Sequence, residues 1–426
     1  MSVIHSHKSN THSTFFGIAT TTPPPLDPQL IMQRADEVKT VQRMMAEPST
    51  SAVMLIGTPG AGKSTLAALL YNRLLLAKQN NMPAPSHLVW LGIGPYTTLP
   101  EIISAILSGV DMPDPSLFLQ TPAEQMASLL QALRRPQVDA LIILDQFEFL
   151  LHPETSQGGV ASRSILLLFL DLLQKNLGAS RIIMTGYNSP YDEEMGETRV
   201  RSCLISRITI PEGMALLQRL GVEASPEALS LVWQRCSGHV FALVLLPALL
   251  QLSGLPLSTL LEAPDYQALW AGDVTTNLFA GIYHYLNPIQ CSLIRALSLF
   301  HEPVPVQGIF MAVTGNSSIT ENTNTRTYTA FDHEFHILVN LRIVQQITEQ
   351  DEVRYTLHPL LRQFVQEHYL EGNRQQDELA SLGVVLPHPT LPAGPEAQRV
   401  AIAAGHMQVA AYYQHLVSEH CLPREL

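Results

Sequence analysis

The run Val53-Met54-Leu55-Ile56-Gly57-Thr58-Pro59-Gly60-Ala61-Gly62-Lys63-Ser64-Thr65 constrains this chain more than any other stretch. Four apolar residues lead into a G-x-x-x-x-G-K-S loop, and a helical pattern follows from Leu66 to Leu76. Strand, glycine-rich loop and helix in that order form a phosphate-binding loop, the P-loop. Its glycines let backbone N–H groups turn inward around a polyphosphate, and the helix beginning at Lys63 aims its positive end at the same place. The residues expected to line it are Gly57, Pro59, Gly60, Ala61, Gly62, Lys63, Ser64 and Thr65. In this pattern the lysine reaches the β- and γ-phosphates and the Ser64 hydroxyl binds Mg²⁺.

Around this motif, short apolar runs alternate with helical patterns. Strands are expected at Leu88–Gly92, Ala140–Leu144 and Arg181–Thr185, with a weaker fifth at Cys203–Ile208. Helices are expected at Leu99–Leu107, Ala123–Arg134 and Ser164–Asn176, and an amphipathic segment, Leu30–Met45, precedes the loop. Continuous apolar strands separated by helices predict a parallel sheet covered on both faces. The fold class is therefore an α/β P-loop NTPase.

The strand signal stops near Ile210. Met214–Leu220, Pro226–Cys236 and Val240–Leu252 read as helices. Pro288–Phe300, Phe331–Leu341 and Leu360–Tyr369 are further helices, and Ile343–Ile347 with Val353–Leu357 form a hairpin, the pattern of a winged helix. Asn316–Thr329 reads as a long polar loop, Leu386–Pro395 as a Pro-rich linker and Ala397–Val417 as a last helix. The expected division is a disordered tail over 1–27, a nucleotide-binding domain over 28–209, a helical domain over 210–284, a winged-helix domain over 285–372, and a linker with helix over 373–426.

Composition removes several classes. The formal charge is −12, a poor electrostatic match for nucleic acid or anionic lipid. The longest apolar runs are too short to span a bilayer. Four scattered cysteines, Cys203, Cys236, Cys291 and Cys421, without a C-x-x-C, read as reduced thiols of a cytoplasmic protein. His5, His7 and His12 read as part of a polar tail, and His333 and His336 as surface residues.

Asp145 ends the apolar run Ala140–Leu144, the form of a Walker B strand, where an acid holds Mg²⁺. Glu148 follows three residues on. It is either the general base that polarises the attacking water or a solvated loop acid. Thr185, at the tip of the next strand, either bonds the γ-phosphate or is a plain strand-end threonine.

In this order the motifs resemble the STAND-class ATPases, which include the NB-ARC and NACHT proteins, over residues 28–370. Met32-Gln33-Arg34-Ala35-Asp36-Glu37 is similar to their entry motif, with Gln33 in place of Gly and Arg34 matching the nucleotide-contacting arginine. Leu144-Asp145-Gln146-Phe147-Glu148 is similar to the D-Q-F-E Walker B of bacterial members. Ser180–Tyr187 resembles their sensor strand, with Tyr187 at the usual arginine position. Cys236-Ser237-Gly238-His239-Val240-Phe241-Ala242-Leu243 resembles the C-x-G-L-P-L-A-L motif, with Val240 replacing the proline. Leu357-His358-Pro359-Leu360 resembles the winged-helix end motif, in which the family histidine touches the ADP β-phosphate. His358 takes that role by resemblance; otherwise it is a capping core histidine.

The resemblance implies an ATP/ADP switch that is closed with ADP and open with ATP, reset by slow Mg²⁺-dependent hydrolysis, acting in signalling with protein partners in trans or by self-association. Family members carry an effector and repeat sensor, and the short flanks here read as a near-bare switch module, a truncated product or half of a split system. The rivals are a winged-helix DNA-binding regulator, a nucleotide-binding scaffold without hydrolysis, and a P-loop kinase.

Overall fold

The computed structural model describes residues 34–94, 97–151, 159–191, 198–300, 303–314, 325–349 and 352–370, with isolated positions 23, 24, 26 and 30. Most of the tail, Met32, Gln33, Cys421, the Pro-rich linker and the helix expected at Ala397–Val417 lie outside the described residues. The chain divides into two compact units. The first holds Asp36–Ile56 and Leu69–Leu204; the second holds Pro24–Ala35, Gly57–Ala68 and the chain from Ile205 onward.

The first unit is a five-stranded sheet: β1 (Ala52–Ile56), β2 (His87–Gly92), β3 (Ala140–Asp145), β4 (Arg181–Gly186) and β5 (Val200–Leu204). The order is β2-β3-β4-β1-β5, and every pairing is parallel. β4 therefore lies between the strand that leads into the phosphate loop and the strand that ends in Asp145. Ile56 pairs with Gly186, and Leu144 with Met184, so β1, β3 and β4 finish along one edge. All six residues of β3 are buried. Burial on both faces is why this strand reads as an unbroken apolar run.

The flanking helices Leu99–Gly109, Pro122–Leu133 and Gly159–Leu173 put Ile102, Ile106, Leu129, Leu133, Phe169 and Leu173 into the sheet's core. Each such side chain contributes roughly 1.5–3 kcal/mol on burial. A capping box starts the second of these helices. Glu124 accepts from the Thr121 N–H at 2.8 Å, and the Thr121 hydroxyl accepts from the Glu124 N–H at 3.4 Å.

Several boundaries differ from expectation. β5 begins at Val200 rather than Cys203, because pairing with β1 sets its register, Ala52 with Val200 and Ile56 with Leu204. The helix expected from Ser164 starts at Gly159 and ends at Leu173.

The second unit is mainly helical: Ile210–Arg219, Pro226–Arg235, Val240–Ser253, Leu257–Glu262, Val274–Tyr285, Pro288–Leu299, Val306–Thr314 and Thr325–Asn340. An antiparallel hairpin follows, β6 (Val344–Glu349) with β7 (Glu352–Leu357), then the helix Pro359–Val365. One apolar cluster runs from Ile208 to Val365, so the core is continuous across the boundary expected at 284/285. Val240–Ser253 buries Phe241, Leu243, Leu245, Leu246 and Leu249, which accounts for its apolar character all round. The loop expected at Asn316–Thr329 is shorter at its C-terminal end, since residues 325–329 are helical. Phe331, Phe335 and Leu338 fix that helix to the core, and such packing outweighs weak local propensity. Among the described residues, no helix is long and apolar enough to cross a membrane.

Candidate functional site

Within the first unit, the candidate chemistry gathers where β3 and β4 end. Asp145 is 6% exposed. The Thr185 hydroxyl donates to its Oδ1 at 2.6 Å and accepts from the Gln146 N–H at 2.8 Å. The Phe147 N–H donates to the Thr185 carbonyl at 2.8 Å. These bonds hold the turn after Asp145, in which Gln146 takes a positive φ of 62°. A non-glycine residue there is strained and persists only where its surroundings fix it. Thr185 thus directs its single proton at Asp145.

Glu148 opens the short helix Glu148–Leu151 and is 9% exposed, so it is not a solvated loop acid. Its Oε2 lies 3.7 Å from where a Cβ on Gly186 would sit, which brings the carboxylate to the tip of β4. Tyr187, the next residue on that tip, bonds to it. Burial first, then the Glu148 charge and this bond, push the Tyr187 phenol up to about 12. The residue after Gly186 therefore holds a neutral hydroxyl directed at the Glu148 carboxylate.

Within the second unit, the phosphate loop is held by its carbonyl groups. Gly60 and Gly62 adopt φ of 75° and 93°, which side-chain-bearing residues rarely reach. Lys63 Nζ donates to the Gly57 carbonyl at 2.9 Å and the Thr58 carbonyl at 3.1 Å. The Arg34 guanidinium, buried and with a φ of 40° of its own, donates to the Ala61 carbonyl at 2.6 Å and the Ser206 carbonyl at 3.3 Å. Through these two bonds Arg34 braces the loop. Ser64 and Thr65 lie in the first turn of the helix Lys63–Gln79.

The loop is also packed from outside. A Cβ on Gly60 would lie 2.8 Å from His239 Cε1, 3.0 Å from Phe241 Cβ and 3.1 Å from Leu360 Cδ1. The His358 ring stacks on Phe241 with centroids 3.7 Å apart and planes at 16°. His358 caps the helix Pro359–Val365, its Nδ1 accepting from the Leu360 N–H at 3.3 Å. Burial pushes its pKa down to about 3, helped by the nearby His239, Arg362 and Lys63. A neutral ring with a bare Nδ1 carries its proton on Nε2, so His358 is a hydrogen-bond donor there. His239 was quoted in the sequence only as part of a motif; its contact with the loop had no signal there.

Within the first unit, the buried Asp145 carboxylate, oriented by Thr185, is a hard oxygen donor of the kind Mg²⁺ takes. Among the described residues there is no group of three or more His, Cys, Asp or Glu side chains placed to hold a metal ion.

Residues 47–189 match the model of an AAA domain family. An uncharacterized WD repeat-containing protein of Nostoc sp. is 22% identical over 358 residues, which are 81% of this chain and 27% of that protein. A Signal Transduction ATPase with Numerous Domains (STAND) protein with a tetratricopeptide repeat sensor, from Pyrococcus horikoshii, superposes with a TM-score of 0.53 at 16% identity. That likeness covers 93% of this chain and 52% of the archaeal one. A Walker-type ATPase of Pyrococcus abyssi gives a TM-score of 0.41 at 14% identity, over 80% of this chain and 98% of that one. The chain thus spans about half the length of the STAND structure and about a quarter of the curated relative. Residues 47–189 are thus similar to an AAA domain, and the fold is similar to that of a STAND ATPase, the family its motifs resemble.

Proposed function

We propose that this chain, an AAA-type ATPase domain in a STAND-class fold, is an ATP/ADP-operated switch in signalling. The observation that carries the reading lies within the second unit. There the phosphate loop is packed against the start of the helix Val240–Ser253 and the start of the helix Pro359–Val365. Occupancy of the loop and the arrangement of those helices then bias one another, which is the requirement for a nucleotide switch. The helices from Pro288 with the hairpin β6–β7 are read as a winged helix serving as scaffold.

In this reading Lys63 exchanges its carbonyl partners for phosphate oxygens, to which an ammonium bonds more strongly. His358 donates from Nε2 to the β-phosphate of ADP. Asp145 and Ser64 hold Mg²⁺, which would neutralise phosphate charge when bound. Glu148 accepts the proton of the attacking water, and Tyr187 keeps its carboxylate in place. Hydrolysis is slow and resets the switch. Protein partners, as effector or sensor in trans, or a second copy, receive the signal.

The winged helix is not read as a DNA-binding element. Residues 286–370 carry five arginines, no lysine and eight acidic residues, a net-negative surface for a polyanion.

The test is the ratio of ADP to ATP affinity in wild type and His358→Ala. Losing one hydrogen bond to a charged group shifts the closed/open ratio by roughly ten- to a hundred-fold. The variant is expected to lose ADP affinity more than ATP affinity, with a larger exposed or oligomeric fraction on size exclusion. Equal losses for both nucleotides and an unchanged profile would reduce His358 to a packing residue.

A further inference from the structure

We propose that His239 is a positioning residue of the phosphate loop: its imidazole holds the Pro59 carbonyl outward and so turns the Gly60 N–H toward the phosphate. This rests on the nucleotide-binding reading above and adds a residue to it.

His239 Nε2 lies 2.6 Å from the Pro59 carbonyl oxygen. On the other side of the ring, Nδ1 faces the Ala242 N–H at 3.4 Å and the Thr275 hydroxyl at 3.1 Å. A backbone N–H can only donate, so Nδ1 must be bare. The ring is neutral: burial holds its pKa below the ordinary value against the pull of the Pro59 carbonyl and Asp273, with Arg207 and Lys63 adding to the effect of burial. Its one proton therefore sits on Nε2 and is donated to Pro59.

The consequence for the loop follows from peptide geometry. The Pro59–Gly60 bond is trans, so the Gly60 N–H points opposite to the carbonyl that His239 holds. Arg34 does the same at Ala61, whose carbonyl it holds at 2.6 Å, turning the Gly62 N–H away. Two carbonyls fixed outward leave two N–H groups facing the other way, as in an anion-binding nest. The Ala61 N–H, between them, is taken by the Thr58 carbonyl at 3.1 Å.

His239 is the N-cap of Val240–Ser253, and a purely structural cap would need only Nδ1. The two ring nitrogens can be separated by substitution. His239→Asn keeps an acceptor near Nδ1, a good cap, but cannot reach Pro59. His239→Gln extends an amide donor toward the Nε2 position and gives up the cap. Binding of ADP by the full chain is measured by calorimetry, and the thermal midpoint alongside, for both variants, wild type and Lys63→Ala.

The expected result is a crossed pattern. His239→Asn melts near wild type yet binds ADP about ten-fold more weakly, the loss that goes with one hydrogen bond. His239→Gln melts lower yet binds more tightly than His239→Asn. If affinity follows the melting order instead, or both variants bind like wild type, His239 is only a cap and the proposal fails. Should His239→Asn not fold, His239→Gln binding no better than His239→Ala overturns it equally. Wild type that does not bind ADP, or Lys63→Ala that binds as wild type does, sinks the nucleotide reading itself, a failure distinct from that of His239.

Discussion

The Thr185 hydroxyl donates a 2.6 Å hydrogen bond to the Asp145 carboxylate, from one buried strand end to its neighbour. Both residues finish parallel strands of one sheet, and neither can shift without moving its strand. The same oxygen accepts the Gln146 N–H, so one side chain fixes both the acid and the strained turn that leads to Glu148. Orientation of this kind is where an active site gains most from a rigid scaffold.

Replacing Thr185 by Val keeps the shape and removes the hydroxyl. It strips the Gln146 N–H and Asp145 Oδ1 of that partner, which costs about 1–3 kcal/mol of stability. Mg²⁺-dependent turnover is expected to fall, with a higher Mg²⁺ concentration needed for half-maximal rate. Urea denaturation and phosphate release across a Mg²⁺ series measure the two effects. An unchanged Mg²⁺ response would separate Thr185 from the metal.

Lys63→Ala is expected to abolish binding of ATP and ADP while the sheet stays folded. The ammonium is the charged partner for phosphate in the loop, and in the structure it donates to the Gly57 and Thr58 carbonyls. A fluorescent ADP analogue titrated against the folded variant gives the answer, and unaltered affinity would refute the P-loop assignment.

Glu148→Gln keeps the shape of the side chain and its neighbour Tyr187 but removes the proton acceptor. Nucleotide affinity should stay within a few-fold while turnover drops roughly 10²-fold, the usual contribution of a general base. Equal turnover in variant and wild type leaves Glu148 a buried structural acid. No turnover in wild type favours a scaffold that binds nucleotide without hydrolysing it.

Acid should destabilise the fold through His358. Its pKa is held at about 3 in the folded chain against 6.5 in the unfolded one. Between those values the unfolded state binds the extra proton, so stability is present above about pH 6.5 and is lost as pH falls toward 3. One proton corresponds to at most about 1.4 kcal/mol per pH unit. His358→Asn keeps a helix cap without a titrating ring, so its denaturation midpoint should fall less steeply over that window. Parallel pH slopes for variant and wild type would contradict the burial of a neutral His358.

Sequence alone determined the parallel sheet, the glycine-rich loop between strand and helix, and the acid at the end of β3. Their signals are local: a continuous apolar run, glycines at fixed spacing, a carboxylate at a strand end. It also located the hairpin β6–β7 within a residue or two, because alternation and an acidic turn lie within a dozen positions. The start of β5 escaped it, since the partner strand rather than the segment itself sets that register. The contacts of Thr185, Arg34 and His239 were decided by the tertiary structure. Arg34 reaches a carbonyl 27 positions away and His239 one 180 positions away, and no periodicity reports which distant carbonyl a side chain will meet. Burial decided the rest: Glu148 and His358 are ordinary polar letters in the chain, and only packing makes one a shielded carboxylate and the other a neutral donor.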